Sequence, residues 1–347
     1  MYRILTRPAS HEPDSFNFVV RTFRIAAVIG AVAAPTMAYA QTGAQVTDYP
    51  QRAVTIVMPG PPGGGPDVVL RMLSNKLSEG WGKPVVVENR PGATGMIGAG
   101  AVTRGGDATG HRLLFAFTAL VQAPAIFLTV PYDLESDFAP IAQVAFAPVF
   151  LAARRGSNLK ELADVIAIAK QPNKSLSYGS FGVGSSYHIY GETLKRGQGL
   201  NLLHVPYKGE ALALSDLLGG QIDLTFVSVG AGAATARAGD IAPLAVVANK
   251  RSPLLPEVPT FEEAGVKGID AVGWFGMLAP AGTPPAVVSK LTADVNKALS
   301  DPEIIRRLSE LGFEPVNNTN SDSFRAFLRT EASRWKRMIG EAQIKVE

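Results

Sequence analysis

Two glycine- and serine-rich turns, each between a short apolar run and a helix-like segment, constrain the fold of this chain most strongly. Residues 58–67 read MPGPPGGGPD and follow the apolar run VTIV, and residues 179–188 read GSFGVGSSYH and follow SLSY. A strand that turns directly into a helix directs free backbone N–H groups and the positive end of the helix dipole to one place. Two such turns predict two lobes that close on an anion held between them.

The remaining sequence alternates short apolar runs with amphipathic segments, which is typical of an α/β protein with helix-covered, parallel sheets. Because the last helix-like segments have no strand between them, we expect the C-terminal part to pack back on the first lobe. The predicted lobes are residues 46–146 plus 274–347, and residues 147–273, with crossings near 145–149 and 272–275. Predicted helices cover residues 67–77, 159–169, 186–195, 211–218, 259–264, 285–299, 302–311 and 321–340.

The N-terminus has the features of a secretory signal peptide. Arg21 and Arg24 precede the apolar residues 25–34, and the sequence AYA at 38–40 precedes Gln41. The apolar stretch is shorter than the roughly 20 residues that a permanent membrane anchor needs. A buried N-terminal helix is the alternative interpretation, although the stretch lacks a polar face to turn outward. We predict that residues 1–40 are a signal peptide with an extended N-terminus and that the mature protein is exported.

Composition excludes several kinds of chemistry. The chain has no cysteine, which excludes disulfides, thiolate nucleophiles and cysteine-bound metals. Its net charge of +3 includes the arginines of the predicted signal peptide, and no cluster of basic residues interleaved with aromatic ones occurs. We therefore expect no nucleic-acid partner. Paired catalytic carboxylates and clusters with metal-ligand spacing are not evident, so we also expect no metal, no cofactor and no enzymatic activity.

The first turn supplies the candidate ligand-binding residues Gly63, Gly64, Gly65 and Asp67. It lacks the Gly-Lys-Ser/Thr ending of a nucleotide-binding loop. A plain tight turn is the main alternative, but three glycines cost more backbone entropy than a turn requires and would let a ligand contact the main chain. Asp67 could hold a water molecule or a ligand amine or hydroxyl group, or it could simply be a carboxylate favoured by the helix dipole.

The second turn supplies the candidates Gly182, Gly184, Ser185, Ser186 and His188. The glycines allow close approach, and the serines place hydroxyl groups at a helix start, where Ser185 could also be an ordinary N-cap. A serine hydrolase that uses Ser186 and His188 is an alternative function, but the sequence places no acid to orient the imidazole. Since neither turn contains arginine or lysine, we expect backbone N–H and hydroxyl groups to hold a carboxylate.

Many short motifs occur in the same order as in one known family. From residue 49 to residue 347, the chain resembles the periplasmic solute-binding receptors of tripartite tricarboxylate transporters, the Bug family. The motifs that carry this resemblance are YP (49–50), PGGGPD (62–67), VVVENRPGA (85–93), PYD (131–133), DFAP (137–140), HVPYKG (204–209), DLLGGQID (216–223), KRSP (250–253), PT (259–260), WFG (274–276) and LAPAGTP (278–284).

The resemblance implies a periplasmic-binding-protein-like, Venus-flytrap fold with two lobes and a ligand cleft between them. It also implies a monomeric periplasmic receptor that holds a small organic acid with the two loops at residues 63–67 and 182–188. Its partners would be the permease subunits of a membrane transporter. A sensor that presents the same ligand to a signalling protein is an alternative that the sequence leaves open.

The sequence departs from the family pattern at several positions near the predicted cleft. Pro66 replaces a common threonine or serine, and Tyr187 and Tyr190 stand where small residues are usual. The stretch FVS at residues 226–228 replaces a common Phe-Asp-Asn. These changes remove polar groups and add aromatic ones. They favour an apolar or aromatic monocarboxylate over a citrate-like ligand.

Export can be tested directly on the protein recovered from the periplasm. We expect mass spectrometry to show a chain that begins at Gln41 or within a few residues of it, because signal peptidases cleave after small residues such as those at 38–40. A full-length product confined to the cytoplasm would contradict the prediction.

Overall fold

The computed structural model describes residues 48–105 and 107–344, which form two β-sheets flanked by helices. The predicted signal peptide, residues 1–40, lies outside the described residues. The strands are β1 (Val54–Met58), β2 (Val85–Asn89), β3 (Arg112–Phe117), β4 (Phe138–Ala147), β5 (Val149–Arg154), β6 (Leu176–Ser180), β7 (Leu202–Pro206), β8 (Leu224–Ser228), β9 (Ile241–Val247), β10 (Gly273–Pro280) and β11 (Glu314–Pro315).

Helices cover both sheets. They are α1 (Gly65–Trp81), α2 (Met96–Thr103), α3 (Ala119–Ile126), α4 (Leu162–Ala169), α5 (Ser186–Gln198), α6 (Glu210–Leu218), α7 (Val229–Arg237), α8 (Pro285–Leu299), α9 (Pro302–Glu310) and α10 (Ser321–Ala342). Among the residues that the structure describes, no helix is both long and apolar enough to cross a membrane.

Both sheets contain parallel and antiparallel strands, so the prediction of parallel sheets is correct only for part of each sheet. The first sheet has the strand order β11-β4-β10-β3-β1-β2, and the second has the order β7-β6-β8-β5-β9. β1 is parallel to β2 and β3, and β6 is parallel to β7 and β8. By contrast, β10 is antiparallel to β3 and β4, and β5 is antiparallel to β8 and β9. β5 and β10 are the strands that enter each sheet from the other half of the molecule. They begin at the edge where the parallel strands end, so they run in the opposite direction to those strands.

The chain first crosses between the sheets at Pro148, which separates the end of β4 from the start of β5. β4 and β3 are both antiparallel to β10, so β4 ends on the same edge of the first sheet as Phe117. Val149 at the start of β5 pairs with Ser228 at the end of β8. The carboxyl ends of the parallel strands in both sheets therefore lie beside this crossover, at the edges where α/β proteins bind ligands.

Helix α10 contacts both halves of the molecule. Near its start, Phe324 packs against Trp274 of the first sheet, with ring centroids 5.8 Å apart. Further along, the fully buried Trp335 packs against Tyr190 of α5, with ring centroids 5.5 Å apart. The C-terminal helix therefore packs on the first sheet, as the prediction had it, and also contacts α5 of the other half.

Replacing Trp335 with alanine should destabilise the protein substantially. The indole is completely buried between α10 and α5, so its removal leaves a cavity, and such truncations cost about 3–5 kcal/mol. Urea denaturation of the variant measures this loss. Lys336→Ala, on the exposed side of the same helix, is the control and should stay within about 0.5 kcal/mol of the wild type. A loss below about 1 kcal/mol for Trp335→Ala would show that this contact contributes little.

Candidate functional site

The three glycines of the first loop have three different structural roles. Gly63 has a φ of 81°, in the left-handed region that favours glycine. Gly64 is the residue before α1 and has φ −73° and ψ 162°, which any residue can adopt. A methyl group at Gly65 would lie 2.8 Å from the ring of Phe313. Only Gly63 therefore needs glycine for its backbone angles, whereas a Cβ at Gly64 would make an ordinary van der Waals contact with Pro66 Cδ, at 3.8 Å.

Asp67 holds the first loop in shape. Its buried carboxylate accepts hydrogen bonds from the Gly63 N–H (2.9 Å), Arg71 Nε (2.8 Å) and Asn89 Nδ2 (2.8 Å). Burial opposes ionisation, but the hydrogen bonds from Arg71, Gly63 and Asn89 outweigh it and hold the pKa of the Asp67 carboxyl below its usual value. At the start of α1, Pro66 has no N–H and the Val68 N–H donates to the Gly64 carbonyl (3.0 Å), so the N–H groups of Gly65 and Asp67 are the ones that lie before the first intrahelical bond.

The second loop satisfies most of its polar groups internally. Ser185 is the N-cap of α5: its Oγ accepts a hydrogen bond from the His188 N–H (3.3 Å) and donates one to the Gly182 carbonyl (2.6 Å). The Gly184 N–H donates to Nδ1 of His188 (3.1 Å). Gly182 and Gly184 have φ values of 132° and 78°, so both require glycine for their backbone conformation. The Ser185 hydroxyl thus bonds within the loop, whereas the hydroxyl of Ser186 bonds outside it.

Two stacked histidines support the second loop. The His188 and His204 rings lie 4.0 Å apart between centroids, and His204 Nε2 lies 2.7 Å from Ser180 Oγ. Burial, together with the neighbouring His188, lowers the pKa of His204 to about 4, and burial also lowers the pKa of His188. Both rings are therefore neutral at pH 7. His188 Nδ1 is an acceptor for the Gly184 N–H, so His188 is part of the framework of the loop.

Ser186 bonds to a residue that sequence reasoning missed. Its Oγ accepts a hydrogen bond from Gln122 Nε2 (2.9 Å), and Gln122 lies on α3, directly after β3 of the first sheet. This bond connects the two halves of the molecule. The Gln122 side chain is 1% exposed within the otherwise apolar helix ALVQAPAI, and a lone amide in such a helix is a signal that the sequence contains. Because Ser186 bonds to Gln122 and not to His188, the pair lacks the contact that a serine hydrolase requires.

Both loops lie beside the junction between β3 and α3. Phe117, at the end of β3, approaches Gly60 of the first loop, and Gln122 reaches Ser186 of the second. A further contact between the halves joins Gly230 in the first turn of α7 to Gly312 after α9, where a methyl group on either residue would overlap the backbone of the other segment. The structure therefore brings one residue of each predicted loop next to the segment that joins β3 to α3.

The aromatic residues that were expected near the cleft have buried side chains. The Tyr190 side chain is 1% exposed and donates a hydrogen bond to the Ala271 carbonyl (2.7 Å). Tyr187, Phe226 and Val227 are also buried. These positions fill the core of the second half, so they give no reason to expect an aromatic ligand. In the part of the chain that the structure describes, no group of three His, Asp or Glu side chains could hold a metal ion.

Comparison with solved structures shows that the fold is that of two-lobed periplasmic binding proteins. The periplasmic binding protein BugD is 34% identical, with a TM-score of 0.74; the match covers 86% of this chain and 100% of that chain. An R. palustris protein solved with adipate is 33% identical, with a TM-score of 0.76 and the same coverage. The predicted fold class is thus confirmed.

Sequence comparison identifies the family. The family model TctC, described as the tripartite tricarboxylate transporter family receptor, matches residues 69–344, and this chain belongs to that family. A relative from Pseudomonas sp. (strain P51), the UPF0065 protein in the tcbD-tcbE intergenic region, is 35% identical over 310 residues. That match covers 89% of this chain and 92% of the relative. The family predicted from the sequence motifs is thus confirmed.

The histidine pair makes the stability of the protein depend on pH. The folded protein keeps His204 neutral down to about pH 4, whereas the unfolded chain binds a proton near the usual pKa of 6.5. The unfolded state then binds more protons within this window, so the free energy of unfolding should fall as the pH drops from about 6.5 towards 4. Denaturant unfolding across this range should show a smaller fall for His204→Gln than for the wild type. Identical pH profiles would contradict this role of His204.

Proposed function

We propose that this chain is a periplasmic receptor that captures a small organic carboxylate between its lobes and presents it to the membrane subunits of a tripartite tricarboxylate-type transporter. The observation that carries the proposal is the meeting of two strand-to-helix loops at facing sheet edges, where helix N-termini favour an anion. Membership of the TctC family supports the transport role. The similar R. palustris protein with adipate supports a carboxylate as the class of ligand.

The proposed lobes are residues 46–146 plus 274–347, and residues 147–273. The crossing at Pro148 and the division of the strands between two sheets support these boundaries. Export by the signal peptide at residues 1–40 would place the receptor in the periplasm, and we propose that it acts there as a monomer. Ligand binding would stabilise the closed arrangement, because a ligand that contacts both lobes binds the closed state more tightly than the open one.

The proposed contacts to the ligand are mostly backbone groups. On the first loop these are the N–H groups around Gly64, Gly65 and Asp67, and on the second the N–H and hydroxyl groups of Ser186 at the start of α5. The other predicted residues support these contacts: Gly63 and the Asp67 side chain shape the first loop, and Gly182, Gly184, Ser185 and His188 shape the second. This division favours binding without catalysis, because the Ser186 hydroxyl pairs with the Gln122 amide and not with His188.

Two variants test whether the main chain holds the ligand. Gly64→Val should abolish binding, because Gly64 has ordinary backbone angles and its new side chain would occupy the ligand's place without straining the loop. Ser186→Ala should weaken binding by about 0.5–1.5 kcal/mol, the usual net contribution of one hydrogen bond. A thermal-shift screen of organic acids identifies ligands of the wild type, and calorimetry then compares the variants.

The matched control is Gly80→Val, an exposed position near the other end of α1 with open space around it. It should bind the acid as the wild type does, and circular dichroism should show that all three variants are folded. If Gly64→Val retained wild-type affinity, the backbone contacts proposed for the first loop would be wrong. If no acid bound the wild-type protein, the proposed function itself would fail.

A further inference from the structure

Glu210 lies at the ligand-facing edge of the second sheet. It is the first residue of α6, which follows β7, and β7, β6 and β8 are neighbours that run parallel. The Glu210 carboxylate accepts hydrogen bonds from Tyr187 Oη (2.5 Å), Ser228 Oγ (2.7 Å) and the Ser228 N–H (3.3 Å). Tyr187 follows β6 and Ser228 ends β8, so one carboxylate connects the carboxyl ends of three adjacent strands, where α/β proteins bind ligands.

This carboxylate is also close to the contacts between the two lobes. Tyr187 follows Ser186, which bonds to Gln122 across the cleft, and Ser228 lies two residues before Gly230, which contacts Gly312. Both hydrogen-bond partners of Glu210 thus stand within two residues of a contact between the halves.

The Glu210 carboxylate is held by neutral groups. All three hydrogen bonds to it come from uncharged donors, the Tyr187 phenol and the Ser228 hydroxyl and N–H groups, and within the described residues no ion pair involves it. Lys208 is nearby in sequence, but its side chain is exposed. Burial and the negative charge of Glu210 raise the pKa of Tyr187 well above its ordinary value, so the phenol stays a neutral donor. The charge of Glu210 is thus stabilised by hydrogen bonds and by the start of α6, without an ion pair.

We propose that Glu210 determines ligand class: it admits monocarboxylates whose far end is uncharged or donates hydrogen bonds, and it excludes dicarboxylates, so that this chain would differ in ligand from the similar R. palustris protein solved with the dicarboxylate adipate. This inference rests on the proposed function. The carboxylate of the ligand would be held by the N–H groups at the helix starts, and a second carboxylate reaching towards Glu210 would meet a like charge in a partly desolvated cleft, where charge repulsion is several times stronger than in water. Neutral hydroxyl or amide groups could instead donate to the oxygens of Glu210.

The alternative is that Glu210 only stabilises the start of α6, where a carboxylate is favoured by the helix dipole. Glu210→Gln separates the two roles, because glutamine keeps the shape and the acceptor oxygen but removes the charge. Tyr187→Phe removes a hydrogen bond and keeps the charge at position 210. Glu262→Gln, at an exposed position on the same lobe, removes a charge far from this cluster and serves as the matched control.

Calorimetry on the mature protein should compare straight-chain monocarboxylates and dicarboxylates of two to eight carbons, together with benzoate and terephthalate. We expect the wild type to bind each monocarboxylate ligand at least about tenfold more tightly than the dicarboxylate of equal length. Glu210→Gln should reduce this ratio about tenfold or more, mainly by strengthening dicarboxylate binding. Tyr187→Phe and Glu262→Gln should retain the wild-type preference.

Equal or tighter binding of dicarboxylates by the wild type would overturn this inference and leave the proposed receptor function intact. So would an unchanged ratio in a folded Glu210→Gln variant. If the variant failed to fold, the preference of the wild type would decide the question alone. If none of these acids bound any of the proteins, both this inference and the proposed function would be rejected.

Discussion

Backbone N–H groups at the start of a helix can bind an anion only if the loop that carries them is rigid and leaves them free. The two loops of this receptor meet this requirement in different ways. In the first, the buried Asp67 carboxylate ties Gly63, Arg71 and Asn89 together. In the second, the Ser185 cap and the Gly184–His188 hydrogen bond perform the same task. Both loops are thus held in shape by hydrogen bonds to side chains.

The position of these loops depends in turn on how the chain crosses between the sheets. Pro148 alone separates β4 from β5, so the ligand-facing edges of the two sheets are held together by a very short connection. Helix α10 adds a second connection, because Phe324 packs on the first sheet and Trp335 packs on α5. The cleft is thus bounded by elements that belong to both halves.

The two loops and the two-lobed fold could be predicted from the sequence, because glycine-rich turns after apolar runs are local patterns. Helix α3 was missed because it is apolar all round and lacks the helical period of an amphipathic helix. Residues 259–264 were predicted to be a helix but form only a turn. Thr260 and Glu263 do form the reciprocal hydrogen bonds that are typical of a helix start. Gly265, with a φ of 81°, ends that turn at once.

The candidate site was predicted less completely than the fold. Sequence patterns located the residues of each loop but could not distinguish those that face the ligand from those that hold the loop, because Asp67 and His188 take partners from elsewhere in the structure. Gln122 and Glu210 were missed for a related reason. Their importance comes from contacts with residues far away in sequence, and these contacts exist only once the strands are aligned.

The approach of Gly230 to Gly312 has a consequence for how the sequence can vary. At this point the two halves touch main chain to main chain, with no side chain between them that could compress or change rotamer. Any residue other than glycine would have to push a peptide backbone aside, because its Cβ would overlap the Leu311 carbonyl oxygen or the Gly230 nitrogen. Two glycines far apart in the sequence are therefore constrained as a pair, and a substitution at one cannot be relieved by repacking side chains at the other.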